Sequence, residues 1–155
     1  MKKVLHNIDI VIISIASPLL IGVYRDGVLV ESIQKSEKTS DILLWVLMDI
    51  KKRYNYNRVI YTNGPGSYMA IKLTYITLRT LEILEDIEVK ACDAFSLNNQ
   101  KPIKAMGKLY FIKEKDTIIT KKFDKAMGQY FKLPHLLSDI KILKDNKPLY
   151  IIPAV

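Results

Sequence analysis

The sequence predicts an α/β domain built on a five-stranded mixed sheet, with three antiparallel strands followed by a βαβαβ unit. Three observations predict it. Ile8 to Ile15 is apolar apart from Asp9 and Ser14 and rich in β-branched residues, which suits a strand covered on both faces. Asp26-Gly27, a dipeptide favoured in hairpin turns, joins two further runs, Leu19 to Tyr24 and Val28 to Ile33. Beyond them, two helical patterns alternate with two short apolar runs.

The first helix is expected from about Ser40 to Arg53, after a polar loop that begins at Ser36. From Ile42 to Ile50 nearly every residue is apolar, so the helix is apolar almost all the way round. A surface helix of a single domain shows one apolar stripe, so this one needs cover on two sides. Asp41, Asp49 and Lys52 share a face with Trp45 and Met48, which resembles an interface centre with a charged rim. A later segment of the same chain, folded over that face, is the alternative.

Arg58 to Thr62 is the fourth strand. Asn63-Gly64-Pro65-Gly66-Ser67-Tyr68 then turns the chain into a second helix, Met69 to Leu84. Gly64 and Gly66 permit backbone angles that other residues resist, Pro65 fixes φ between them, and Ser67 suits an N-cap. A strand, a rigid turn and a helix N-terminus aim backbone N–H groups at one spot, although Gly-Pro-Gly is also common in ordinary turns. The second helix is apolar on two faces: Ile71, Tyr75 and Leu78 on one, Leu73, Ile76 and Ile83 on the other. Ile87 to Ala91 is the fifth strand.

Residues 98–106 read as a polar linker. Lys108 to Lys113 and Thr117 to Phe123 read as a hairpin around Glu114-Lys115-Asp116. Asp124 to Lys144 reads as short helical or irregular structure, and Pro148 to Pro153 as a last short strand. The division expected is an N-terminal lobe, residues 1–100, and a small C-terminal lobe, residues 101–155.

The chain of 155 residues carries a net charge of +8, unevenly placed. Residues 1–100 hold 12 Lys or Arg against 11 Asp or Glu, a net of +1; residues 101–155 hold 12 Lys against 5 acids, a net of +7. That excess is either a solvated lysine face or a surface for an acidic partner such as RNA. Lysine without arginine is poor equipment for reading bases. Cys92 is the one cysteine and His6 and His135 the two histidines, which leaves no disulfide and no metal set by spacing. A reducing cytoplasm fits this usage. Lys2-Lys3 ahead of an apolar run resembles a signal peptide, but Asn7 and Asp9 interrupt it, and it reads better as two buried strands. No stretch reaches a membrane span of about 18 apolar residues.

Several blocks resemble one family of the actin-like ATPase (ribonuclease H-like) superfamily: the TsaB/YeaZ family of bacterial tRNA threonylcarbamoyladenosine synthesis. Gly64-Pro65-Gly66-Ser67-Tyr68-Met69-Ala70, with Lys72 and Leu73, resembles its Gly-Pro-Gly-Ser-Phe-Thr-Gly-Leu-Arg-Ile signature. Ile13 to Gly27 resembles its opening strand pair. Thr39-Ser40-Asp41 with Leu43-Leu44 resembles the start of its first helix, and Pro148-Leu149-Tyr150-Ile151 its Pro-x-Tyr-Leu ending. The likeness covers residues 8–97 well and 107–155 thinly, and the chain is short for the family.

The resemblance implies a non-catalytic scaffold that binds a TsaD-like transferase through its two apolar helices, with a TsaE-like ATPase as a further partner and tRNA reached through the complex. Alone, such a chain is expected to form a homodimer. The interface residues expected are Trp45, Met48, Ile71, Tyr75 and Leu78, with Lys52 and Arg79 at the rim. The superfamily places a nucleotide-site Asp in the first strand, and this chain has Ile13-Ser14-Ile15 there. ATPase activity of the isolated chain is therefore not expected, and ATP or ADP is expected only in a complex. Thr74, Ile76 and Thr80 stand where the family has small residues on the second helix, so a partner surface must be adapted to them. The rival readings are a basic RNA-binding module and a glycoprotease-like hydrolase. The second lacks any Ser-His-Asp set, His-Glu-x-x-His motif or paired carboxylates, and a general base must lie within hydrogen-bond reach of its proton.

Overall fold

Strand β1, Ile8–Ile13, is buried at every position and runs through the middle of the molecule. Its alternate side chains point to opposite faces of the sheet. Ile8, Ile10 and Ile12 enter one apolar cluster, and Val11 and Ile13 enter another. The computed structural model describes residues 6–151.

β1 pairs antiparallel with β2, Leu19–Arg25, which pairs antiparallel with β3, Val28–Lys35. On its other side β1 pairs parallel with β4, Arg58–Thr62, and β4 pairs parallel with β5, Glu88–Cys92. The spatial order is β3-β2-β1-β4-β5, the five-stranded mixed sheet expected. Helices α1, Thr39–Arg53, and α2, Tyr68–Glu85, make the crossovers and pack together on one face. Leu43, Val46, Leu47 and Ile50 of α1 and Leu78 and Leu81 of α2 fill the cluster there.

The second face is covered by the rest of the chain. A short helix α3, Ala94–Leu97, leads to a three-stranded antiparallel sheet of β6, Ile103–Met106, β7, Leu109–Glu114, and β8, Thr117–Lys122. Phe95, Ile103, Phe111, Leu133, Leu137 and Ile140 share one cluster with Val11, Ile13 and Ile60. The C-terminal segment thus covers the sheet face opposite the helices, and among the described residues no segment folds over the Trp45 and Met48 side of α1. Among the described residues no helix is long and apolar enough to cross a membrane.

Of three details in the C-terminal part, two differ from expectation and the middle one is as expected. Residues 98–106 are not all linker, because Ile103–Met106 forms β6; Ile103 is buried while Lys104 and Met106 face solvent, an alternation too short to stand out in a polar stretch. Asp124 to Lys144 is irregular with one 3₁₀ turn, Leu137–Asp139, stitched down by Tyr24 Oη donating to the Pro134 carbonyl at 2.6 Å and by Leu143 N–H donating to Ala91 O at 2.8 Å. Pro148 to Ile151 is not a strand, and the remainder of that expected strand lies outside the described residues.

The core holds acids that burial keeps protonated. Desolvation pushes the Cys92 thiol up from 9.0 to about 12 and the Tyr56 phenol from 10.0 to about 12, and it raises Tyr24 and Tyr61 as well. In an unfolded chain these groups ionise near 9.0 and 10.0, the ordinary values. Above those values the unfolded state releases protons that the folded state keeps, so stability falls as pH rises. The expected loss begins near pH 9 and continues toward pH 12, at about 1.4 kcal/mol per pH unit for each group that has ionised only in the unfolded chain. Urea midpoints measured across that range check it; a midpoint that does not move between about pH 8 and 11 contradicts the burial of these groups.

Candidate functional site

Asn63 to Ser67 links the C-terminal end of β4 to the N-terminus of α2, next to the C-terminal end of β1. In open α/β sheets this is where ligands and partners gather. Gly64 has φ +132, a region that favours glycine, and a Cβ there would lie 2.6 Å from the Leu149 carbonyl oxygen. Gly66 is demanded by space and not by φ: a Cβ would stand 2.8 Å from the Ile15 Cβ. Of the two glycines, only Gly64 has the positive φ. Ser67 caps α2 by accepting from the Ala70 N–H at 3.4 Å.

The C-terminal stretch is laced to this turn. Leu149 N–H donates to Asn63 O at 2.8 Å, Asn63 Nδ2 donates to Lys147 O at 3.0 Å, and Tyr61 Oη donates to Asn146 O at 2.7 Å. The Tyr150 ring lies 4.7 Å from that of Tyr68, the aromatic residue of the signature. Both matched blocks, Gly64–Ser67 and Pro148–Ile151, thus meet in space.

Beside the turn is a cleft of about 260 Å³, lined in part by Ser14, Ser17, Glu37, Lys38, Thr39 and Ser67. It lies at the C-terminal end of β1 beside the N-terminus of α2, the end at which open α/β sheets take ligands. The residues do not fit a magnesium nucleotide. No carboxylate stands at the C-terminal end of β1, where Ser14 is buried with its hydroxyl bonded to that of Thr74 at 2.7 Å. The one carboxylate of the cleft, Glu37, is exposed beside Lys38. Asp9 pairs with Arg58 at 2.6 Å at the other end of β1, and Asp26 pairs with His6 in the β2–β3 turn. That pairing, with a hydrogen bond from the His6 ring first, holds the Asp26 carboxyl below its usual range. His135 is exposed and far along the chain from His6. Among the described residues no group of three or more His, Cys, Asp or Glu side chains is placed to hold a metal. A larger basin of about 740 Å³, lined by Asp9, Arg58, Glu82 and Glu88, lies at the N-terminal ends of the parallel strands, the wrong end for a ligand site by the same rule.

The outward sides of the two helices are apolar. On α1, Trp45 is 77% exposed and Met48 54%, with Asp41, Asp49 and Lys52 exposed around them, as the helical wheel predicts. On α2 the expectation names the wrong stripe. Ile71 and Leu78 are buried at 1% and 0%, and Tyr75 is half-buried against the core, its ring 6.2 Å from that of Tyr61. The exposed stripe is Met69, Ile76 and Ile83, with Leu84 beside it. The spacing places Ile76 and Ile83 on a second apolar face with Leu73, which is half-buried. Thr74 lies on the buried side of α2 with its hydroxyl bonded to Ser14. Arg79 is exposed and pairs with Glu82.

No family model matches the chain, and no curated protein matches it. Solved structures do. One, described as an uncharacterized protein with similarity to peptidase YEAZ from Pseudomonas aeruginosa, aligns with TM-score 0.60 and 9% identity over 79% of this chain and 69% of that one. YeaZ from Pseudomonas aeruginosa aligns with TM-score 0.57 and 9% identity over 76% of this chain and 65% of that one. The chain therefore has a YeaZ-like fold and spans about two thirds of these structures.

The turn makes a testable demand. Gly64→Ala combines an unfavourable φ with a clash against backbone, so it should cost about 1–3 kcal/mol. Its urea midpoint should fall accordingly. An unchanged midpoint would mean that Leu149 is not seated on the turn.

Proposed function

We propose that the chain is a non-catalytic scaffold subunit of bacterial tRNA threonylcarbamoyladenosine synthesis that binds a TsaD-like transferase through the outward sides of α1 and α2. The observation that carries the reading is that apolar surface: two neighbouring helices of a YeaZ-like fold expose Trp45, Met48, Met69, Ile76 and Ile83. An exposed apolar patch rimmed by charge marks an interaction site. Trp and Met are enriched at the buried centres of interfaces, and charges such as Lys52 and Arg79 belong to a rim. The partner contacts of α2 fall to Met69, Ile76 and Ile83 because Ile71 and Leu78 already support the core.

The cleft residues support the non-catalytic half of the reading. Without the first-strand carboxylate, nothing in the chain takes the place of the group that positions a magnesium nucleotide, so ATP or ADP would be held only where a partner completes the site. The TsaE-like ATPase and tRNA join through the complex, in the cytoplasm. Alone, the same helix surface closes on a second copy, because a self-complementary patch forms an isologous pair.

Ile76→Glu and Trp45→Glu each place a charge in the centre of this surface without touching the core. Both variants should keep the wild-type circular dichroism spectrum and a cooperative melting transition, lowered only by the loss of the dimer. Each should lose the homodimer and weaken the transferase complex by roughly thirtyfold or more, the effect of about 2 kcal/mol at an anchor. Light scattering and calorimetry measure these. Trp45 is the one tryptophan, so its emission should shift to the blue when the partner covers it. Folded variants that still bind would place the partner elsewhere.

A further inference from the structure

We propose that one end of the three-stranded sheet binds the phosphate backbone of a nucleic acid. The identity of that nucleic acid as tRNA rests on the proposed function; the binding surface itself does not.

The strand register gathers the charge. Lys104 lies opposite Tyr110, and Tyr110 lies opposite Lys121, so these two lysines stand on one side of the sheet, about 10 Å apart at ordinary strand spacing. Lys122 lies opposite Leu109, and Phe123 N–H donates to the Lys108 carbonyl at 3.0 Å, which brings Lys108 and Lys122 to the same end. Lys125 follows three residues later. All five are exposed, and among the described residues none forms an ion pair. Asp124 is the one acid among 104–108 and 121–125, so five lysines less one aspartate leave +4 at this end.

The other end of the same sheet is a built-in contrast. Lys113 pairs with Asp93 at 3.7 Å, and Lys115 sits between Glu114 and Asp116 in the β7–β8 turn. Two lysines against Glu114 and Asp116 sum to zero there. A merely soluble surface has no reason to segregate charge in this way, since interspersed signs serve solubility equally. Unpaired lysines spaced by about one Debye length, roughly 8–10 Å, add their potentials and suit a polymer of regularly repeated negative charge.

The side chains present decide what is contacted. Arginine is absent from this end, and Phe123 is half-buried, edge-on to Tyr110 at 5.6 Å, with Lys121 Nζ 5.5 Å over its ring. Phe123 is the one aromatic residue within 104–108 and 121–125, and its ring is already engaged. The contacts are to phosphate, which gives position without sequence preference. The surface belongs to the layer on the sheet face opposite α1 and α2, so a protein on the helices leaves it open.

The test uses the full chain and a labelled RNA duplex of about 20 base pairs, long enough to present its backbone to one protein surface. Five phosphate contacts give a slope of about −4 for log K against log salt, at 0.7–0.9 per contact. The triple variant K104Q/K108Q/K122Q should reduce that slope by about 2–3 and weaken binding at least tenfold at about 0.1 M salt. K141Q/K144Q/K147Q removes the same charge elsewhere and should change affinity less than about twofold. Matching melting curves establish that both triples are folded, and the double K108Q/K122Q asks the same question if the first triple is not. Equal weakening by both triples would overturn the proposal, as would absent RNA binding. Binding to phosphatidylserine vesicles as tight as to RNA would overturn it too. Ile76→Glu should bind RNA like the wild type, so loss of the scaffold reading and loss of this surface are separately visible.

Discussion

The fold depends on covering β1. Six consecutive buried residues project to both faces of the sheet, and leaving either face in water would forfeit most of the hydrophobic stabilisation available to a chain of this size. The two crossover helices cover one face because right-handed parallel connections put them there. The C-terminal segment covers the other. Once both faces are covered, no segment among the described residues remains to cover the outer sides of α1 and α2. The exposed Trp45 and Ile76 follow from this division of labour and not from an unfinished core.

The same constraint explains why the Gly-Pro-Gly turn and the end of the chain meet. The turn must bring α2 back over the sheet while clearing Ile15, which leaves no room for a Cβ at Gly66. The Leu149 carbonyl then fits against Gly64, and Asn63 bonds the strap on both sides. The orientation of α2, and with it the direction in which Met69 and Ile76 point, is set at its N-terminus by these contacts. A conformational demand at one glycine thereby reaches the helix surface proposed for the partner.

Much of this was legible in the residues. Strand β4 is matched to the residue and the two long helices to within a residue at either end, because β-branched runs and a capping serine are strong local signals. The exposed side of α1 was legible too, since Asp41, Asp49 and Lys52 cluster on it. The exposed side of α2 was not. Both of its stripes are apolar, and the buried one carries Thr74, whose hydroxyl is bonded to Ser14 sixty residues away. Strand β6 was missed for a similar reason: only Ile103 of its four residues is buried, and its pairing partner lies beyond a turn.

The Ser14–Thr74 bond also bears on chemistry. A carboxylate at that position would have to be kept charged in a buried setting, a costly state without a metal or a paired cation beside it. A hydroxyl meets the same space with a neutral hydrogen bond and fastens β1 to α2. Because α2 is the helix whose outer side is proposed to meet the transferase, the Ser14–Thr74 bond is a support for the proposed binding surface.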